Sequence, residues 1–198
     1  MNAPIRLILL DFDGTLVDTR LANARAYVAA LAEAGYPLGE EEYLARYFGM
    51  RCDEFLRTYG IGDAAERERL RLRKIALYPA FFGSVRLNRP LWDFCCRFRE
   101  QGGRVWIVST GSRDNIRNVM RHLRLGGPDT PEAECPAGRV DGLLAGCDIA
   151  RSKPAPDCFL EAMRREGVPP GETLIFEDSA VGLEAARRSG APYFQVRL

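Results

Sequence analysis

The feature that most constrains this chain is the near-continuous apolar run from Ile5 to Leu10, which ends abruptly against Asp11. The run has strand length, far short of the roughly 20 residues that span a bilayer. Apolar residues on both alternating faces mark a parallel strand covered on two sides. Val105 to Val108, Thr173 to Phe176 and Tyr193 to Val196 repeat the pattern. Helical periodicity lies between these runs, at Arg113 to Leu123, Asp157 to Arg165 and Ala180 to Arg188. Strands alternating with helices predict an α/β fold, a parallel sheet wound by right-handed crossovers.

From about Asp18 to Phe82 the alternation stops. Ala22 to Ala34, Glu40 to Phe48, Cys52 to Tyr59 and Ala64 to Leu77 read as helix after helix, with no strand-like run between them. The expected organisation is therefore a core of residues 1–17 and 83–198, interrupted by a helical module over 18–82. Gly126 to Arg139 is polar and rich in Gly and Pro, which predicts a surface loop.

Charge excludes some functions. The chain carries 28 Lys and Arg against 27 Asp and Glu. No basic face is visible, so neither nucleic-acid nor membrane binding is expected. The six cysteines show no CxxC pair and no framework spacing, which points to small buried residues in a reducing compartment, the cytoplasm. His122 is the only histidine, which argues against a His-rich zinc site or a Ser-His-Asp triad. Carboxylates must then carry any chemistry. Lys74 and Lys153 are the only lysines. Lys74 stands in an Arg-rich helical pattern that reads as a solvated face.

In open parallel sheets, ligands bind beyond the carboxyl ends of the strands. Four polar clusters fall there. In Asp11-Phe12-Asp13-Gly14-Thr15, two carboxylates leave the strand one residue apart and Gly14 lets the chain turn. Such an aspartate can attack phosphorus, and a second can exchange a proton with the leaving group and then with water. In Ser109-Thr110-Gly111-Ser112, Thr110 offers a hydroxyl and Gly111 an unobstructed N–H to a phosphate, and Ser112 suits a helix N-cap. In Lys153-Pro154-Ala155-Pro156-Asp157, two prolines stiffen the loop that presents the ammonium. In Phe176-Glu177-Asp178-Ser179, adjacent carboxylates at a strand mouth repel unless a cation is near, and magnesium favours such oxygens. Each cluster also has a plain alternative: an acidic turn, a capping turn, a surface lysine, and a solvated strand end capped by Ser179.

Together the four segments resemble the signature motifs of the haloacid dehalogenase-like superfamily. The resemblance implies a Rossmann-like parallel-sheet core and, at 18–82, a four-helix cap that closes over the site and selects the substrate. It implies Asp11 as nucleophile and Asp13 as acid and base. Thr110 would bind phosphate, with Ser109 as the alternative, and Lys153 would stabilise the phosphoryl group. Mg2+ would be held by Asp11, Asp178 and the Asp13 carbonyl, with Glu177 in support. The hinges would fall at Val17 to Leu21 and Phe82 to Arg89. The branch that fits best contains phosphatases of sugar phosphates and of phosphoglycolate.

The expected partner is thus a small phosphorylated metabolite, with the protein a monomer or weak homodimer. Haloacid dehalogenation is disfavoured, because dehalogenases of the superfamily lack the aspartate that Asp13 provides. Phosphonate hydrolysis would need a cap lysine, and Lys74 is the only candidate. A β-phosphoglucomutase-like mutase would share the core residues, but that branch places a histidine in the first cap helix where ungapped alignment puts Asn23. A non-catalytic phospho-ligand-binding module is the other alternative. Arg51, which follows Gly49 in a break between helices, is a candidate substrate contact or an ordinary surface arginine.

Overall fold

The computed structural model describes residues 3–198. Its chain order is β1 (Leu7–Leu10), β2 (Val17–Asp18), α1 (Arg20–Glu33), α2 (Glu40–Arg46), α3 (Cys52–Tyr59), α4 (Ala64–Leu77), β3 (Arg86–Leu87), α5 (Arg89–Glu100), β4 (Arg104–Val108), α6 (Arg113–His122), β5 (Gly142–Leu144), α7 (Asp157–Glu166), β6 (Thr173–Glu177), α8 (Ala180–Ser189) and β7 (Tyr193–Gln195). Two compact units result: Met1–Asp18 with Leu87–Leu198, and Thr19–Arg86.

The first unit carries a five-stranded parallel sheet in the order β5-β4-β1-β6-β7. β1 is central, and all four of its residues are buried, as its unbroken apolar run requires. Leu7 and Leu9 point to one face, where they join Phe159, Ala162 and Met163 of α7 and Ala185 and Ala186 of α8. Burying each large side chain of this set contributes about 1.5–3 kcal/mol.

Two elements of this unit escape sequence periodicity. β5 has only three residues, and it pairs with β4 because Gly142 leaves room for the Trp106 ring. An added Cβ on Gly142 would lie 2.1 Å from that ring. α5 opens at Asn88, whose side-chain oxygen accepts from the Leu91 N–H at 3.3 Å. The expected surface loop at 126–139 is irregular but tied down. The Gly126 N–H donates to the Gly138 carbonyl at 2.9 Å, Cys135 is buried, and the Trp92 indole N–H of α5 donates to the Ala137 carbonyl. Among the cysteines, Cys95, Cys135 and Cys158 are buried, whereas Cys147 is exposed and corrects the expectation of a uniformly buried set.

The second unit is helical. α1 packs against α2, α4 and a 3-10 turn over Tyr78–Ser84. Its core is aromatic: the Phe55 ring lies 4.9 Å from Tyr27, 5.3 Å from Tyr43 and 4.9 Å from Tyr47. The structure overturns the solvated reading of Lys74, which is only 2 % exposed. Arg67, Leu70 and Lys74 are spaced three and four apart on α4, so they share its inward face. Lys74 Nζ lies 3.8 Å from the Tyr78 ring centroid and 4.9 Å from that of Tyr27, and it donates to Asn23 Oδ1 at 2.7 Å. The rings stabilise the cation through their negative faces. Among the described residues, no helix is long and apolar enough to cross a membrane.

Candidate active site

Because β4, β1 and β6 are neighbours in the sheet, their carboxyl ends bring three of the four polar clusters side by side. Asp11 follows β1 directly, and its N–H extends the ladder to the Phe176 carbonyl at 3.0 Å. The chain then reverses. The Gly14 N–H donates to the Val17 carbonyl at 2.8 Å, and the Val17 N–H donates to the Phe12 carbonyl at 2.9 Å. Gly14 has a φ of 95°, a left-handed conformation that a side chain resists. The fourth cluster arrives from the loop before α7 and delivers Lys153.

Lys153 is the hinge of the electrostatics. Its Nζ donates to Asp11 Oδ1 at 2.6 Å and to Glu177 Oε1 at 2.6 Å, with the Val108 carbonyl at 3.5 Å. Burial by itself would lower the Lys153 pKa. The Asp11 and Glu177 carboxylates outweigh it and raise the pKa above the ordinary lysine value, so the side chain stays charged. Burial raises the Asp11 pKa well above the usual carboxylate range; Lys153 opposes that rise, and Glu177 and Asp178 add to it. Asp178 is raised by burial and then by Glu177, while a hydrogen bond from Thr15 works the other way.

The two adjacent carboxylates face different partners. Glu177 uses both oxygens within the protein: Oε1 accepts from Lys153, and Oε2 accepts from the Ser179 N–H at 2.7 Å and the Ser179 hydroxyl at 3.1 Å. The Ser179 Oγ accepts in turn from the Gly182 N–H at 3.1 Å, capping α8. Gly182 is bare by necessity, since an added Cβ would lie 1.8 Å from Glu177 Oε1. Glu177 therefore grips the lysine. Asp178 instead receives the Thr15 hydroxyl on Oδ1 at 2.9 Å.

The remaining sequence-derived candidates fall as follows. Asp13 reaches toward the turn after β4, where a Cβ placed on Gly111 would lie 3.2 Å from Asp13 Oδ2. Ser109 is buried, and its Oγ accepts from the Gly111 N–H at 3.0 Å, so that N–H is directed at Ser109. Thr110 is the more exposed of the two hydroxyl residues. Ser112 stands at the N-cap of α6 without a side-chain capping bond. Arg51 lies in the helical unit at the N-cap of α3, where its carbonyl accepts from the Phe55 N–H at 2.8 Å. Sequence reasoning overlooked Thr15 and Gly182. Their signal was their place in the DFDGT and EDSAVG segments; the partner of Thr15 lies 163 positions away, and the crowding of Gly182 by Glu177 depends on how that side chain is turned.

A family model for haloacid dehalogenase-like hydrolases matches residues 5–190. The chain belongs to that family. Protein CbbY of Rhodobacter capsulatus is 29 % identical over 94 % of this chain and 82 % of its own length. The fructose-1-phosphate phosphatase YqaB of Escherichia coli is 27 % identical, covering 96 % of both chains. The crystal structure of CbbY from Rhodobacter sphaeroides in complex with phosphate superposes with a TM-score of 0.82, at 25 % identity over 98 % of this chain and 87 % of that one. This protein is thus an enzyme with a haloacid dehalogenase-like core, and phosphatases of the family generally use Mg2+.

The acidic residues fit such a cation. Asp11, Glu177 and Asp178 can each offer one carboxylate oxygen, all within 4.8 Å of one another. Ionised, they carry three negative charges against the single charge of Lys153. An all-oxygen donor set short of positive charge suits a hard divalent ion.

Proposed function

We propose that this haloacid dehalogenase-like hydrolase is a magnesium-dependent phosphatase of a small phosphorylated metabolite, a sugar phosphate or sugar-acid phosphate, acting through an aspartyl phosphate on Asp11. What carries the reading is the Lys153 ammonium held between Asp11 and Glu177 at the end of β1, 2.6 Å from each. The Lys153 ammonium opposes the rise in pKa that burial imposes on Asp11, and so favours the ionised carboxylate while it holds the group in place. A carboxylate oxygen of Asp11 forms the bond to phosphorus as the bond to the leaving alcohol breaks, and Asp13 gives that oxygen its proton. Asp13 then takes a proton from water, whose oxygen attacks phosphorus. The bond to Asp11 breaks, and inorganic phosphate leaves. Lys153 offsets the charge of the nucleophile and of the transferred group throughout, and Thr110 is the proposed phosphate contact. Asp11, Asp178 and the Asp13 carbonyl would hold Mg2+, which when bound would supply further charge neutralisation at the phosphate. The helical residues 18–82 are proposed as the cap that selects the substrate, with Arg51 as the residue offered for that task.

The substrate class rests on the relatives, one of which is named for fructose 1-phosphate. Water, not a second sugar hydroxyl, is the proposed acceptor. Asn23 stands where the mutase branch has histidine, and its amide is committed: Oδ1 accepts from Lys74, while Nδ2 donates to the Thr19 carbonyl and the Tyr78 hydroxyl, both at 3.2 Å. An amide does not take up a proton near neutral pH. The test measures phosphate release from p-nitrophenyl phosphate and from a panel of sugar phosphates in Mg2+, together with isomer formation from both glucose phosphates. Turnover that disappears in Asp11→Asn supports the reading. Wild-type rates in that variant, or isomerisation outpacing phosphate release, would sink it.

A further inference from the structure

We propose that Thr15 is a positioning residue for the cation: its hydroxyl, with the bare Gly14 beside it, holds Asp178 in the orientation that binds Mg2+. The inference rests on the proposed reading of Asp178 as a metal-binding carboxylate, and it assigns a role to a residue outside that set.

Thr15 has no exposed surface. Its Oγ1 donates to Asp178 Oδ1 at 2.9 Å, across 163 positions of sequence. The backbone that presents the hydroxyl is clamped from the other side. Asn88 Nδ2 donates to the Thr15 carbonyl at 3.1 Å, and the Asn88 N–H donates to the Leu16 carbonyl at 2.8 Å. A β-branched side chain on a fixed backbone has few χ1 choices, so the hydroxyl is aimed before any ligand arrives. The other carboxylate oxygen, Oδ2, lies 2.3 Å from where a Cβ on Gly14 would stand. One oxygen of Asp178 is thus bonded and the other is seated against a residue that has no side chain. Glu177 receives nothing of this kind from the first turn, since its partners are Lys153, Ser179 and the space at Gly182. The turn after the nucleophile strand therefore does two things at once: it places Asp11 and it orients Asp178. Magnesium tolerates little deviation from octahedral geometry, so a ligand fixed in advance binds it with less reorganisation. Removing a hydrogen bond that orients a metal ligand typically weakens metal binding about 10–100-fold.

The experiment titrates MgCl2 into the metal-free full chain by calorimetry, without substrate, for wild type, Asp178→Asn, Thr15→Val and Thr15→Ser, with thermal unfolding of each metal-free protein. Thr15→Val keeps the shape and removes the hydroxyl; Thr15→Ser keeps the hydroxyl. The expected result is a dissociation constant raised about 10–100-fold in Thr15→Val and within about threefold of wild type in Thr15→Ser, with each variant still folded cooperatively without metal at the titration temperature. Should valine not fold, Thr15→Ala replaces it, and the Ala-to-Ser ratio isolates the hydroxyl. Loss of binding in Asp178→Asn with unaltered affinity in the hydroxyl-free variant overturns the role of Thr15 alone, as does equal weakening in Thr15→Ser. Unaltered binding in Asp178→Asn overturns the reading of Asp178, and this inference with it.

Discussion

Replacing Lys153 by Met keeps most of the apolar stem and removes the charge. The Lys153 side chain is 4 % exposed, between Asp11 at 10 % and Glu177 at 1 %. Each of its two 2.6 Å contacts is a charge-assisted hydrogen bond worth roughly 1.5–3 kcal/mol. Desolvation of the lysine disappears in the variant, but both carboxylates stay buried without their counter-charge. Breaking a buried ion pair from one side costs about 3–5 kcal/mol, which is the loss expected near pH 8 in chelator. The loss must depend on pH. Burial already raises the folded-state pKa of Asp11, and removing Lys153 takes away the group that opposes the rise. A carboxylate whose folded pKa exceeds its unfolded value contributes stability that is fully present below the unfolded pKa and is lost as pH rises through the folded pKa. The deficit of Lys153→Met relative to wild type should therefore widen from about pH 5 to about pH 8. The raised pKa of Lys153 in wild type has the same sign in a higher window: its contribution is intact below the ordinary lysine value and is lost only in strong alkali. Urea melts of both proteins in EDTA across this range measure the difference. Equal stabilities near pH 8, or one deficit independent of pH, would refute the assigned electrostatics.

Phosphate release should stop in excess EDTA and return with Mg2+; full turnover in chelator would contradict a cation at Asp11 and Asp178. Gly182→Ala should destabilise the protein by about 1–3 kcal/mol through overpacking, because the new Cβ meets Glu177 Oε1 at 1.8 Å; a wild-type urea midpoint with wild-type turnover would disprove the contact. Phe55→Ala should cost about 3–5 kcal/mol by calorimetry, since Phe55 is 1 % exposed and centres the aromatic cluster of the helical unit; a loss under about 1 kcal/mol would mean that cluster is not packed.

The parallel α/β architecture was legible in the sequence because β1, and β4 beyond Arg104, are buried on both faces and so leave apolar runs, while β6 keeps an apolar centre, Leu174 to Phe176, between Thr173 and Glu177. β5 was not legible, because its three residues make a strand only where Trp106 lies over Gly142. Lys74 was misread for a similar reason. Alternating Arg and Leu along α4 look solvated until Tyr27, Tyr78 and Asn23 are placed around the ammonium. Within the candidate site, Asp11, Asp13, Lys153, Glu177 and Asp178 could be nominated from sequence, since each is a polar residue at or near the end of an apolar strand or in a stiff loop. Their division of work could not. Whether Glu177 or Asp178 faces the lysine depends on Ser179, Gly182 and Thr15, and on the order β4-β1-β6 that brings those turns together. Sequence alone determined which chemical groups the strand ends present, because local polarity and chain direction set that. Only the tertiary structure decided which group touches which, because hydrogen bonds of 2.6–2.9 Å between residues 24 to 163 positions apart exist only once the sheet has formed.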